Sequence, residues 1–344
     1  MLKLLKEKQG GHRMKACNKI FFIQLIIIII LLICMLFNGC SSKPKIYHIG
    51  ILSGLDFFSG IIDGFKEKMT ELGYIEGKNI TYEIYKAPAP VGNENAIKKF
   101  LDEKVDLIVS FPTEASIEAK SVAQGSGIPI LFVNVFTEDT GLVNSIREPG
   151  GNITGVRWPG PDMALRRFEI MCELVPQAKQ MIIPYMKNYP IVKSQLEVLR
   201  QAFKTAGLKM IEIPAKNAAE IESALKKQTQ LSNIPDAVLC ITEPLAIMKD
   251  SFLVIAKFAA KHKIPLGGAM SFGGYETIYQ YLPQSVPQGR QAAFLADKIF
   301  KGTPAGTIPV VSAECFLTIN YRAAKKLGLK IPEDLLNLAN EIIR

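Results

Sequence analysis

The chain is 344 residues long, with a hydrophobic fraction of 48%, a charged fraction of 21% and a formal net charge of +9 at pH 7. This composition excludes a disordered or low-complexity protein, and the length suits two domains of roughly 100–200 residues each. Six basic residues but only one acidic residue, Glu7, lie within residues 1–39, so this short stretch holds +5 of the net charge. The basic character therefore belongs largely to the amino terminus and does not indicate a nucleic-acid partner.

The first element along the chain is a hydrophobic segment over residues 20–37. Basic residues precede it and small residues follow it, which is the order of a secretory signal. The junction of Gly39 and Cys40 resembles the lipobox of bacterial lipoproteins, in which the cysteine is lipidated and begins the mature chain. We therefore predict a signal peptide over residues 1–39 and a lipidated tether over residues 40–45. An uncleaved signal anchor and a buried core helix are the alternatives.

The lipoprotein resemblance implies an anchor of acyl chains such as palmitate, attached at Cys40. The folded part is then expected outside the cytoplasm, tethered to a cell membrane on its periplasmic or outer face. Whether translation starts at Met1 or Met14 stays open. Three cysteines remain after the leader, an odd number with wide spacing, so neither a disulfide framework nor a zinc site is expected. They are Cys172, Cys240 and Cys315.

Short apolar runs alternate with amphipathic helical stripes through the rest of the chain. In chain order the pattern predicts strands at 46–52, 79–85, 105–109 and 129–133, with helices at 58–72, 91–101 and 113–124. Further strand-like starts recur at a regular spacing near Gln180, Leu208, Asp236 and Ile264. Strands that alternate with helices favour parallel, doubly wound sheets, and this many strands exceed a single core. We therefore expect an α/β fold of two Rossmann-like, doubly wound lobes.

Signatures of catalysis are missing from the sequence. Beyond the leader the histidines are His48 and His262, and no Gly-x-Ser-x-Gly elbow accompanies them. The chain also lacks a phosphate-binding Gly-x-x-x-x-Gly-Lys-Ser/Thr loop and a Gly-x-Gly-x-x-Gly turn after its first strand. We therefore expect a protein that is not an enzyme and that carries no cofactor and no metal. An anchored hydrolase with a polar triad in its cleft is the alternative.

Four stretches, in this order, resemble ABC-transporter substrate-binding lipoproteins of the group assigned to tryptophan, tyrosine or other amino acids. They are ELGYIEGKNI at 71–80, GLV and PGGNITG within 141–155, GRQAA at 289–293, and IN with AAKKLGLKIP within 319–332. The resemblance implies the type I periplasmic-binding-protein fold, with two lobes, three crossover strands and a ligand in the cleft between the lobes. It also implies a monomeric solute receptor that delivers a small molecule, an amino acid or similar, to an ABC permease. A ligand-sensing lipoprotein that presents to a membrane receptor without transport is the alternative function.

The resemblance also suggests how the chain divides into lobes. We predict an amino-terminal lobe of residues 46–156 plus 283–311 and a carboxy-terminal lobe of residues 157–282 plus 312–344. The hinge is then expected near residues 156–158, 282–283 and 311–312. Trp158, the only tryptophan, lies at the first of these segments and should report closure of the lobes.

In an open α/β sheet, ligands bind outside the carboxyl ends of the strands, where helix amino termini offer free N–H groups. The segments that follow the predicted strands are therefore candidate sites. Grouped by chemistry, the candidates are Thr113 and Ser116 for a carboxylate; Glu138, Asp139 and Glu243 for an ammonium; Phe57, Phe111, Tyr185 and Phe272 for stacking; and Asp56, Thr137, Asn188, Thr242, Ser271 and Gln284 as further polar contacts. Helix caps and core aromatics are the alternative roles for Thr113, Thr242 and the phenylalanines.

The sequence departs from the resembled family at two of these positions. Glu138-Asp139-Thr140 stands where an Asp-Pro pair is expected, and Gln284 begins a segment that lacks the expected acid and aromatic. The resemblance therefore implies the fold without implying which ligand is bound.

Overall fold

The computed structural model describes residues 45–53, 59–86, 92–231, 234–268, 270–271 and 274–344. The predicted leader, Cys40 and the candidates Asp56, Phe57 and Phe272 lie outside these ranges. In the described ranges no helix combines the length and apolar character needed to cross a membrane.

The chain forms four consecutive runs of helices and strands, separated by three short connections. The first run is β1 (Tyr47–Ser53), α1 (Ser59–Glu71), β2 (Ile80–Lys86), α2 (Glu94–Asp102), β3 (Leu107–Phe111), α3 (Thr113–Val122), β4 (Ile130–Val135) and β5 (Ile153–Arg157). The second is α4 (Gly160–Leu174), β6 (Gln180–Met186), α5 (Val192–Ala206), β7 (Lys209–Ala215), α6 (Ala218–Leu231), β8 (Ala237–Leu239), α7 (Pro244–Ile247), α8 (Lys249–His262), β9 (Leu266–Gly267) and β10 (Tyr279–Pro283). The third is α9 (Ser285–Phe300), a 3-10 helix (Ala305–Thr307) and β11 (Val311–Ser312). The last is β12 (Cys315–Asn320), α10 (Tyr321–Lys326), α11 (Glu333–Leu338) and β13 (Glu341–Ile343).

The first lobe is a six-stranded parallel sheet in the order β11-β5-β4-β3-β1-β2. Successive side chains of a strand point to opposite faces, so each strand contributes to two cores. Ile51 and Val109 pack on one face with α1 and α9, whereas Leu52 and Ile108 pack on the other face with α2 and α3. Helices on both faces make this sheet doubly wound, as the sequence predicted.

The second lobe contains a parallel sheet in the order β7-β6-β8-β9 and a three-stranded sheet in the order β10-β12-β13. A bridge between Gly268 and Gln280 joins the two sheets. The pair β10–β12 is antiparallel, which the expectation of purely parallel sheets missed. The reason is topological, because β10 leads out of this lobe and β12 leads back into it at the same edge. The prediction of an α/β fold with two Rossmann-like lobes is confirmed.

Close helix packing in the first lobe depends on glycine. At Gly289 in α9, an added Cβ would lie 2.0 Å from the carbonyl oxygen of Ile61 in α1. At Gly64 in α1 it would lie 2.1 Å from the carbonyl oxygen of Val286. These glycines let the two backbones approach closely, so the GRQAA stretch has a packing role.

Three connections join the runs at the carboxyl edge of the first sheet. They follow β5, β10 and β11, near the segments where the sequence places the hinge. Val156 at the end of β5 belongs to a core of the first lobe, whereas Ala164 in α4 belongs to a core of the second. Residues Tyr47–Arg344 together form one compact unit.

Candidate functional site

The two lobes meet beside the first connection. The ring of Phe136, just after β4, lies 6.2 Å from the ring of Trp158 between centroids. A Cβ added to Gly160, the first residue of α4, would lie 3.1 Å from the Phe136 ring and 3.6 Å from Gln195 in α5. Phe136, just after β4, and Gln195 in α5 therefore both lie beside Gly160.

The candidate residues between β3 and α3 make contacts within the protein at the edge of the sheet. The Thr113 hydroxyl accepts a hydrogen bond from the Phe136 backbone N–H at 3.1 Å, which ties the ends of β3 and β4. The Ser116 hydroxyl is fully buried and donates to the Pro112 carbonyl at 3.0 Å. Phe111 is fully buried in a core of the first lobe. Their predicted ligand contacts stay predictions.

The end of β4 has an irregular backbone. The pairing with β5 shifts between Val133 and Val135, and Asn134 between them has φ = +58°. Asn134 is buried, and its side-chain Oδ1 has no hydrogen-bond partner among the described residues. In the loop that follows, Thr137 is half-buried and Asp139 is exposed.

Glu138 and Arg157 form an ion pair at this edge. One Glu138 oxygen, Oε1, accepts from Arg157 Nη1 at 2.8 Å, and the two side chains are only 24% and 14% exposed. Arg157 Nη2 pairs with Asp162 in α4, and Nε donates to the Ser312 hydroxyl at 3.0 Å. The second oxygen of Glu138, Oε2, is buried without a hydrogen-bond partner in the part of the chain that the structure describes.

Other unpartnered polar atoms lie along the same carboxyl edge. The Trp158 indole Nε1, the Ser53 hydroxyl and the Gln288 Oε1 are buried without hydrogen bonds to the described residues. Ser53 ends β1, Trp158 follows β5 and Gln288 lies in the first turns of α9. Leaving such an atom unsatisfied costs roughly 1–3 kcal/mol. Of the eight such atoms in the described residues, these three and those of Asn134 and Glu138 lie at this edge, and the others belong to Tyr82, Asn93 and Asn152.

In the second lobe, the buried Arg167 side chain forms hydrogen bonds to residues at or near the ends of two strands. It is 3% exposed, and it donates to the carbonyls of Tyr281 and Cys240 at 2.9 and 3.3 Å and to the Thr242 hydroxyl at 3.1 Å. Burial lowers the pKa of Arg167 to about 10. The candidate Thr242 is further held by Gln195, whose side chain bonds both backbone groups of Thr242.

Glu243 caps the short helix α7 from the side facing β6. Its carboxylate is 1% exposed and accepts backbone N–H groups of Met186, Leu245 and Ala246 at 2.7–3.0 Å. Burial raises the pKa of Glu243 to about 7, and these N–H groups oppose the rise. The ammonium contact predicted for Glu243 stays a prediction.

The remaining described candidates are Tyr185, Asn188 and Ser271 of the second lobe and Gln284, which precedes α9 in the predicted first lobe. The Tyr185 hydroxyl donates to Glu212 at 2.9 Å, and burial raises the pKa of Tyr185 to about 12. The Ser271 hydroxyl accepts from the backbone N–H of Thr277 at 3.2 Å. Asn188 and Gln284 are exposed.

One cluster of possible metal ligands lies away from this edge, on β1 and β2 and just beyond α2. Side-chain atoms of His48, Glu83 and Glu103 lie within 4.8 Å of one another. The Lys99 ammonium lies 2.5 Å from Glu83 and 3.6 Å from Glu103, so a lysine already pairs with both carboxylates.

Sequence reasoning missed several residues of the edge, notably Ser53, Asn134, Arg157 and Gln195. Tyr189 is another, because the charges of Glu114 and Glu243 add to burial in raising its pKa. Arg157 could have been found, since it falls within the predicted hinge at the end of a strand. Asn134 could not, because nothing in the sequence marks its left-handed backbone.

A family model described as "ABC transporter substrate binding protein" matches residues 50–343. Among curated proteins, a tyrosine-binding protein of Clostridioides difficile (strain R20291) is 26% identical over 280 residues, covering 78% of this chain and 76% of that protein.

The fold of this chain is also similar to those of two solved structures. The ABC domain from Streptococcus pneumoniae in complex with L-Trp is 20% identical, covers 87% of this chain and all of its own, and has a TM-score of 0.67. The ligand-free, open structure of a Clostridium difficile substrate-binding protein with adhesive properties is 22% identical, covers 86% of this chain and 99% of its own, and has a TM-score of 0.72.

Proposed function

Because the chain belongs to the family of ABC transporter substrate-binding proteins, we propose that it captures an aromatic amino acid between its two lobes. The family is one of solute-binding proteins, so no catalytic step is part of the proposal. The curated relative is named for tyrosine and one structural neighbour holds L-Trp, which supports this ligand class.

The observation that carries the proposal is the row of buried, unpartnered polar atoms at the carboxyl edge of the first sheet. Glu138 Oε2 and Asn134 Oδ1 are acceptors, which suit an ammonium group, and Trp158 Nε1 is a donor, which suits a carboxylate oxygen. Phe136 and Trp158 supply aromatic surface at the same place. A zwitterion with an aromatic side chain matches this combination of acceptors, donor and rings.

We expect binding to involve closure of the lobes about the three connections near residues 156–158, 282–283 and 311–312. Ligand groups would then satisfy the first-lobe atoms and contact the second-lobe edge around Gln195 and Thr242. The lobe limits of residues 46–156 plus 283–311 and 157–282 plus 312–344 are part of this proposal.

A thermal-shift panel on the protein lacking residues 1–40 tests the ligand class. At a concentration 100 times Kd, a true ligand stabilises the folded state by about 2.7 kcal/mol, which raises Tm by several degrees. We expect L-tyrosine or L-tryptophan to give this shift. If a sugar or polyol raises Tm while every amino acid leaves it unchanged, the proposed ligand class is wrong.

The cellular setting is proposed from the sequence and the family. Cys40 would carry the acyl anchor of an extracytoplasmic lipoprotein, which hands its ligand to an ABC permease for import. In cells fed labelled palmitate, the wild type should carry the label, and Cys40→Ser should abolish it while L-tyrosine binding is retained. An unlabelled wild type, or a Cys40→Ser variant that keeps the label, would contradict lipid anchoring at Cys40.

A further inference from the structure

Arg157 holds three segments of the chain with one guanidinium group. Nη1 binds Glu138 in the loop after β4, Nη2 binds Asp162 in α4, and Nε binds Ser312 in β11. The backbone of Arg157 is also fixed, because its carbonyl accepts from the Ala313 N–H at 2.9 Å. The side chain is 14% exposed, so its position is defined on every side.

This arrangement determines where the Glu138 carboxylate lies. Oε1 is occupied by Arg157, whereas Oε2 is buried and has no partner among the described residues. Because the guanidinium is rigid and is held by Asp162 and Ser312 as well, its Nη1 fixes the position of Glu138 Oε1 better than a lysine ammonium would. Glu138 Oε2 is thereby kept at the carboxyl edge.

The charges of the cluster also favour a cationic group. Arg157 contributes +1, and Glu138 and Asp162 contribute −1 each, which leaves the cluster with a net charge of −1. An ammonium group at Glu138 Oε2 would neutralise it and would satisfy the unpartnered oxygen with a charge-assisted hydrogen bond.

We propose that Arg157 is a positioning residue that presents Glu138 Oε2 to the ammonium group of the ligand and so makes the site select amino acids over their deaminated analogues. This inference rests on the proposed function. It assigns the selection to a residue that does not itself touch the ligand.

The test measures Kd by calorimetry for two matched pairs of probes. They are L-tyrosine with 3-(4-hydroxyphenyl)propionate, and L-tryptophan with indole-3-propionate. For the better-bound pair, the Kd of the deaminated analogue divided by the Kd of the amino acid reports the contribution of the ammonium group. We expect Glu138→Gln to reduce this ratio about 10- to 100-fold in the protein lacking residues 1–40.

Arg157→Lys separates positioning from charge, because it keeps the positive charge but cannot hold three partners in one plane. We expect the Kd ratio to fall about 5- to 10-fold in this variant, on the order of the loss of one oriented, charge-assisted hydrogen bond. Arg157→Met should lower it as well. Arg290→Lys is the matched control, since Arg290 also binds two carboxylates, Glu67 and Glu71, and its ratio should stay within about 2-fold of wild type.

The outcomes separate this inference from the proposed function. If the wild type binds one of the amino acids and Arg157→Lys keeps the full ratio while folded, Arg157 has a structural role alone and the inference is overturned. A higher ratio in Arg157→Met would show that Arg157 opposes the ammonium by its charge, which also overturns it. If the wild type binds neither amino acid, the proposed function fails, and the inference fails with it.

Discussion

At the scale of single residues, Glu243 shows how a carboxylate can be fully buried without a cationic partner in its hydrogen bonds. Three backbone N–H groups at the amino end of α7 and the end of β6 bind it, and burial raises its pKa to about 7. The sequence placed Glu243 correctly after a strand and before Pro244. It could not separate a helix cap from a ligand contact, because both roles use the same residue at the same position.

This pKa predicts a pH-dependent contribution to stability. Folded Glu243 keeps its proton up to about pH 7, whereas in the unfolded chain it releases the proton near its ordinary pKa of 4.5. The folded state therefore binds more protons between these pH values, and the contribution of Glu243 to the free energy of unfolding falls as pH rises through this window. The Glu243→Gln variant does not titrate at this position. Relative to it, we expect the free energy of unfolding of the wild type to fall by about 3 kcal/mol between pH 4.5 and 7 and to change little above pH 7.

Urea denaturation of both proteins at a series of pH values measures this difference. Glu212→Gln is the control, because Arg200 lowers the pKa of Glu212 and both its folded and unfolded forms are ionised across most of the window. A constant difference between wild type and Glu243→Gln from pH 4.5 to 7 would contradict the account.

At the scale of elements, α1 and α9 are the helices whose packing is most sharply defined. They come from distant parts of the sequence and meet through Gly64 and Gly289. We expect Gly289→Ala to destabilise the fold by about 1–3 kcal/mol, because the new methyl group meets the backbone of Ile61, which cannot move aside as a side chain can.

Chemical denaturation of the Gly289→Ala variant measures this cost. Asp63→Ala is the matched control on the exposed face of α1, and its effect should stay within about 0.5 kcal/mol. Equal stabilities of Gly289→Ala and wild type would show that the two helices separate easily.

Elements with strong apolar periodicity were predictable from the sequence. The strand starts expected near Gln180, Leu208 and Asp236 correspond to β6, β7 and β8, within one residue of their observed beginnings. The two-residue β11 and the three-residue β13 were not predicted, because they are strands only through their neighbours. The order of the strands and the antiparallel β10–β12 pair likewise depend on contacts between distant segments, which local pattern does not contain.

At the scale of the whole molecule, three sheets form two lobes, which three connections join beside one polar edge. The sequence predicts a binding region at the carboxyl ends of the strands, and the structure adds which side chains there have no hydrogen-bond partner among the described residues. Arg157, Asn134 and Trp158 gain their importance only from tertiary placement, since their hydrogen-bonding state depends on loops from distant parts of the chain. The net charge of +9 has no part in this edge, because more than half of it lies in the predicted leader.

We propose that an amino acid binds between the lobes beside the first connection. Trp158 is the only tryptophan of the chain, and its indole lies at that place beside Phe136, half-buried and with Nε1 unpartnered among the described residues. Its emission, excited at a wavelength that tyrosine does not absorb, therefore reports on this place alone.

The most direct test is a titration of Trp158 fluorescence with L-tyrosine, on the protein lacking residues 1–40. We expect a saturable change in emission whose midpoint agrees with the Kd from calorimetry. Calorimetric binding of L-tyrosine without any change in Trp158 emission would contradict it.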